Sequence, residues 1–123
     1  METKKEISSC VVRRVEDVEA VPCPCGASVR LLTAQNSPNL GLHVTHIKDS
    51  KKHYHKKTTE AYYILEGSGY LEAGNETIAA VPGTCVLIPK GVPHRGWGDF
   101  KTIVVCVPPF DPDDEFLISD GDH

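Results

Sequence analysis

The chain reads as short apolar or alternating runs broken by Gly, Pro and Asn, with almost no sustained 3.6-residue periodicity. Alternation with a period of two sends successive side chains to opposite faces of an extended backbone, so the pattern predicts strands and an all-β class. The runs fall at 10–15, 28–33, 40–47, 53–57, 61–66, 69–73, 77–81, 85–88, 94–97 and 102–107. Strands this short and this closely spaced predict a sandwich or barrel. Turn chemistry agrees. Gly74-Asn75 suits a tight hairpin between the runs at 69–73 and 77–81, and Pro82-Gly83 and Lys90-Gly91 bracket the run at 85–88.

Two segments leave this pattern. Residues 15–21 fit one or two helical turns or a loop edge, ended in either case by Pro22. Asp111-Pro112-Asp113-Asp114 sets a capping aspartate before a proline at the first helical position, predicting a short helix over 112–116. The Asp-rich end beyond Leu117 is expected to be disordered. The expected organisation is one barrel domain, 1–110, and an acidic C-terminal tail, 111–123.

Composition changes the picture in three ways. A chain of 123 residues can bury one core without a disulfide framework. Its charged start leads into no long apolar stretch, and its longest clean apolar run, 103–107, is five residues, so neither a secretory signal nor a membrane span is expected. Five cysteines (Cys10, Cys23, Cys25, Cys85, Cys106) cannot all pair within one chain, and free thiols in a reducing cytoplasm are the simplest expectation. Cys23-Pro-Cys25-Gly26 marks a turn and lacks the second cysteine pair that a zinc site of that type needs. Cys85 and Cys106 lie in apolar runs and read as core.

The net charge of -4 is unevenly spread: residues 111–123 hold six acidic groups and no Lys or Arg, leaving a body with 13 basic and 11 acidic groups. Residues 48–57 carry five lysines and one aspartate. Two readings stand, a rim that attracts an anionic substrate or a solvated, lysine-protected strand edge. The short patch, the acidic chain and the lack of an aromatic platform argue against nucleic acid.

The chemistry concentrates in four residues. His53 and His55, two apart, point to one face of a strand; Glu60 follows closely, and His94 comes after the turn at Lys90-Gly91. Three nitrogens and one carboxylate suit a divalent transition metal (Mn, Fe, Ni, Zn or Co) better than calcium or magnesium. If Glu60 faces inward, so do Tyr62 and Ile64. Tyr62 is then a candidate catalytic or substrate-contacting hydroxyl, or an ordinary core residue with its hydroxyl satisfied. His94, Gly96 and Gly98 share a face, and the two glycines are expected to leave space for a small molecule beside the metal. His43 and His46 read as structural, hydrogen-bonded histidines.

The motif His53-x-His55, four residues, Glu60, six residues, Gly67 resembles the first motif of the cupin superfamily. Gly83, five residues, Pro89-x-Gly91, two residues, His94 is similar to the second, with fifteen residues between Gly67 and Gly83 as in compact single-domain cupins. The resemblance implies a small jelly-roll (double-stranded β-helix) barrel whose mouth holds a metal on His53, His55, Glu60 and His94. It also implies a small-molecule metalloenzyme of dioxygenase, isomerase or lyase/decarboxylase type, or else a non-catalytic small-molecule-binding cupin. A homodimer is expected, as is common in the family, with Val11, Val12 and Val15 of the first run adding to a partner sheet. Two positions depart from the family pattern: Ile47 stands where a glycine is usual, and Gly98 where an asparagine is often found.

Overall fold

A computed structural model of the chain describes residues 10–118. Its strands are β1 (Val21–Cys23), β2 (Gly26–Leu32), β3 (Gly41–Asp49), β4 (His53–Tyr54), β5 (Thr59–Ala73), β6 (Glu76–Ala79), β7 (Cys85–Ile88), β8 (His94–Val107) and β9 (Phe116–Leu117). Helical structure among the described residues is limited to single 3-10 turns at Val15–Asp17 and Pro112–Asp114. The all-β expectation holds.

Two long strands organise the barrel. The second half of β8 lies between β3 and the first half of β5, with β2 and β1 beyond β3 and β7 beyond β5. The first part of β8 lies between β4 and the end of β5, with β9 beyond β4 and β6 beyond β5. All these pairings are antiparallel, and the two halves share β5 and β8 as a rolled jelly-roll sheet does.

The register of that pair forces it to double over. Glu60 lies opposite Cys106, and His94 lies opposite Ala73, thirteen residues further along β5. Thirteen residues of extended strand run roughly 43 Å. The Glu60 carboxylate is nevertheless 3.2 Å from the His94 ring. Only a sharp fold of both strands reconciles these distances, and glycines mark where it occurs. The register shifts between Ile64 and Glu66, Gly67 has φ +90° and Gly98 has φ +119°. A β-carbon on Gly67 would stand 2.2 Å from the Asp99 carbonyl oxygen, and one on Gly69 2.2 Å from that of Trp97. Neither position has room for a side chain.

Ile47, Ile64, Leu71, Ile88, Phe100 and Val104 form the core beneath the barrel mouth. Gly96 belongs to that packing: a β-carbon there would press at 3.2 Å on both Ile47 and Phe100. The space expected beside Gly96 and Gly98 is therefore filled by core side chains and by the strand crossing, and a ligand must be sought elsewhere. Ile47, in the place of the usual glycine, is buried and supplies part of that filling.

The differences from the sequence pattern come from strand pairing and from side-chain bonds to the backbone. Runs 61–66 and 69–73 form one strand, as do 94–97 and 102–107, because the glycines between them turn a corner without ending the ladder. No strand forms at 10–15, and none of these residues pairs with a strand among the described residues. The run at 53–57 shortens to two residues because the Asp114 carboxylate accepts from the backbone N–H groups of Lys56 and Lys57. The helix expected over 112–116 is a single 3-10 turn, capped as anticipated by Asp111, after which β9 pairs with β4. Residues 111–118 thus build part of the barrel rim, while the disorder expected beyond Leu117 falls, apart from Ile118, outside the described residues.

The cysteine expectation also needs correction. Cys23 and Cys25 are joined by a disulfide across the β1–β2 hairpin, where their Cα atoms lie 5.2 Å apart, within bridging range. Cys85 is exposed on β7, whereas Cys106 is buried as expected. Cys10, Cys85 and Cys106 remain free thiols.

Candidate metal centre

Two short-range effects bring the histidines together. The strand period puts His53 and His55 on one side of the β4 segment, and antiparallel pairing sets His94 directly opposite His53. Glu60, at the start of β5, reaches the same point because of the glycine corner. All four are buried.

The hydrogen bonding of the imidazoles fixes their chemistry. His53 Nδ1 donates to the Lys51 carbonyl at 2.7 Å, His55 Nδ1 to that of Asp114 at 2.8 Å, and His94 Nδ1 to that of Val92 at 2.9 Å. A carbonyl can only accept, so each neutral ring carries its proton on Nδ1 and turns a bare Nε2 lone pair inward. Ligand atoms of the three rings lie within 4.8 Å of one another, close enough to hold one ion. Glu60 Oε1 is 3.2 Å from His94 Nε2, and Glu60 Oε2 is 3.5 Å from His55 Nε2. His55 Nε2, His94 Nε2 and Glu60 Oε1 are buried without a hydrogen-bond partner. Such atoms are costly unless a cation or donor meets them, and four inward lone-pair donors fit a metal of the transition series.

Electrostatics favours a neutral ring at His53. Burial, with the fields of His94 and His55, lowers the His53 pKa to about 4. Burial raises Glu60, and His94, His55 and His53 bring it below the usual carboxylate range to the extent that those rings are protonated. Tyr62 is buried as parity requires, with its ring edge-on to His94 at 6.2 Å, while Tyr63 on the other face is exposed. Burial and the Glu60 charge push its hydroxyl well above 10. At neutral pH Tyr62 can donate a proton in a hydrogen bond but cannot serve as a base.

The cavity at the site opens away from the glycines. It is narrow, about 30 Å³, and is walled by β2 and β3 through Ser28, Arg30, His43 and Thr45, by the Cys23–Cys25 bridge, and by Phe110 and Glu115. That volume accommodates only about two water-sized spheres. His43, expected as a structural, hydrogen-bonded histidine, lines this cavity; burial and the Arg30 charge lower its pKa to about 4. His46 behaves as expected, bonded to Asp99 on the outside. Glu115 lies 3.9 Å from His53 Nε2, and burial raises its pKa. The Cys106 thiol, also pushed up by burial, makes a long contact of 3.9 Å with Glu60.

Strand parity could have found His43, since it alternates with Ile47, but the apolar face of β3 (Leu42, Val44) misdirects that reading. Arg30 could have been reached only from its register opposite His43. Of the five lysines in 48–57, Lys52 approaches Glu72, Lys57 approaches Asp111, and Lys56 lies over the Phe116 ring. These three are engaged at the rim, which favours the edge-protection reading.

Residues 44–108 match the Cupin domain family. The chain belongs to the cupins. A structure of a protein from Planctomyces limnophilus is 29% identical, with a TM-score of 0.84 over 89% of this cupin and 98% of that chain. A Streptomyces PAC13 variant with uridine superposes at a TM-score of 0.76 over 90% and 92% of the two chains, with 15% identity. Ectoine synthase from P. lautus gives a TM-score of 0.71, 22% identity, and coverage of 90% and 94%. These last two likenesses show the fold alone. An uncharacterised protein of Methanocaldococcus jannaschii, MJ1618, is 33% identical over 70 residues, 54% of this chain, and the match spans 56% of that relative. No helix among the described residues is long and apolar enough to cross a membrane.

Proposed function

We propose that this cupin is a metal-dependent enzyme acting on a small, anionic or hydroxylated metabolite, with His53, His55, His94 and Glu60 holding a divalent transition metal. The observation that carries the reading is the set of inward Nε2 lone pairs, each fixed by an Nδ1–H bond to a carbonyl, converging with an orphaned carboxylate oxygen. Mn, Fe, Ni, Zn and Co all suit this donor set. Such an ion supplies a Lewis acid for a substrate oxygen or, as iron(II), a site for dioxygen, which spans isomerase, lyase, decarboxylase and dioxygenase chemistry.

The chain's own groups bind and orient. The backbone carbonyls of Lys51, Val92 and Asp114 hold the rings in one tautomer, as outer partners of metal-bound histidines do. Tyr62 offers a hydroxyl held in its protonated form, suited to donating to a substrate oxygen. Glu115, its carboxyl raised by burial at the cavity wall, is the group best suited to pass a proton. The small cavity restricts the reacting part of the ligand to a few atoms.

Solved neighbours support catalysis by analogy, since one is described as a nucleoside dehydratase and another as ectoine synthase. Metal analysis of purified protein, with turnover compared before and after chelation, tests the reading. Activity should vanish on stripping and return with one of the five metals; undiminished activity in stripped protein would remove the metal from the mechanism.

A second reading, a non-catalytic cupin that binds a small molecule at the metal, draws on Tyr62, whose raised pKa leaves no phenolate base at the site. A thermal-shift screen against small acids and sugars discriminates: stabilisation with no consumption of ligand or dioxygen favours binding. The homodimer is retained as part of this proposal, on different grounds from the first run of residues. Tyr63, Leu65, Leu87 and Val107 leave exposed apolar surface on the outside of the barrel. Gel filtration at the monomer mass of 13.4 kDa would refute it.

A further inference from the structure

Arg30 stands out among the cavity residues because its buried Nε has no hydrogen-bond partner. It lies on β2 opposite His43 of β3. Its guanidinium stacks over the Phe110 ring at 4.7 Å, its Nε is buried with no hydrogen-bond partner, and it makes no ion pair among the described residues. Of the carboxylates lining the same cavity, Glu60 faces His55 and His94, and Glu115 lies 3.9 Å from His53 and feels the Arg30 charge, but neither forms an ion pair with Arg30. A guanidinium donor left unmet in a protein interior is unfavourable unless an acceptor arrives.

The position of Arg30 shows where that acceptor would come from. Arg30, His43 and Phe110 line both the narrow cavity at the histidines and an adjoining, wider cavity of about 300 Å³ bordered by Thr33, Gln35 and Pro112. Arg30 therefore sits at the passage between the two. Contact with the Phe110 ring holds the guanidinium at this passage, and a guanidinium fork matches a carboxylate in two parallel hydrogen bonds. His43 beside it is neutral at physiological pH and can add a hydrogen bond without adding charge.

We infer that Arg30 is the anion-binding residue of this cavity and receives a carboxylate of the ligand, so that the natural substrate is an organic acid whose other end faces the histidine cluster. This deepens the metal-site reading and rests on it for the ligand's second anchor. A single guanidinium in a narrow space favours a planar monoanionic carboxylate over a phosphate dianion, which would call for more donors.

The test is calorimetric titration of zinc-loaded and metal-free protein with acetate, malonate, succinate and inorganic phosphate, for the wild-type chain, Arg30→Gln and Arg30→Lys. In the zinc-loaded wild type, malonate or succinate should bind at least about tenfold more tightly than acetate, the gain expected of one charge-assisted contact. Arg30→Gln should reduce the dicarboxylates to the acetate level while leaving zinc affinity unchanged. Retained dicarboxylate preference in that variant, no preference in the wild type, or tighter binding of phosphate than of any carboxylate would overturn the assignment. Should Arg30→Gln fail to fold, Arg30→Lys decides: a preference weakened several-fold supports the fork, and an unaltered one rejects it. Failure of zinc to bind the wild type would sink the metal reading alone. Arg30 is then judged in metal-free protein, where loss of carboxylate binding in Arg30→Gln supports it and equal binding refutes it.

Discussion

The histidine mouth and the glycine corner are built on the same two strands and could hardly differ more. At the mouth, four polar side chains converge on a point, and their outer atoms are held by backbone carbonyls. At the corner, Gly67, Gly69 and Gly98 bring main chain against main chain at distances that exclude a β-carbon. The mouth is the proposed metal site, yet its geometry is set at the corner, because Glu60 and His94 meet only if β5 and β8 double over. A residue without a side chain therefore does as much for the site as a ligand does.

That comparison is broken most severely at Gly67. Gly67→Val requires φ +90° of a β-branched residue and drives its Cβ into the Asp99 carbonyl. The expected loss is about 3 kcal/mol or more, enough to lower the melting temperature by roughly 10 °C or to abolish soluble folded protein. Gly83→Ala sharpens the contrast, since Gly83 has nearly the same φ, +91°, but open space around it. Only the backbone penalty of about 1–2 kcal/mol should appear there. Equal melting temperatures for the two variants would show that the close approach at the corner has no special role.

The mouth should be the more sensitive region to acid. His43 and His53 are both lowered to about 4 in the folded chain, against an ordinary value of 6.5. Between those values the unfolded chain binds protons that the folded chain refuses, so stability is complete above about pH 6.5 and is lost as pH falls toward 4. Each group accounts for up to roughly 3 kcal/mol across that window. Denaturant melts of the metal-free protein at pH 7 and pH 4.5 measure it, and His43→Gln should flatten the acid limb by its own share. A pH-independent melt over this range would contradict the neutral, buried rings.

How much of this was visible in the sequence follows from the same division. The spacing of His53, His55, Glu60 and His94 and the glycines around them were legible, because strand parity and turn chemistry are local. Gly67 could be read as a motif position, but its steric task could not, since that depends on Asp99 lying across the ladder. Arg30 and His43 were missed for a related reason. On β3 the inward face carries His43 and Thr45, whereas Leu42 and Val44 point outward, so the usual rule of apolar side inward reverses where the interior is a polar cavity. The turn at Cys23-Pro-Cys25-Gly26 was legible but the bond across it was not, and residues 111–118 looked like an acidic tail, although Asp114 and Glu115 face the site.

The claim on which the rest depends is that the three histidines and Glu60 share one ion. Cobalt(II) titration of metal-free protein, followed by visible absorption, addresses it directly for the wild type, His94→Ala and Glu60→Gln. The account predicts one ion per chain in the wild type, with affinity falling by about a hundredfold or more in His94→Ala and clearly in Glu60→Gln, both variants remaining folded. Saturation at the same concentration in all three proteins, or no uptake by the wild type, would contradict it.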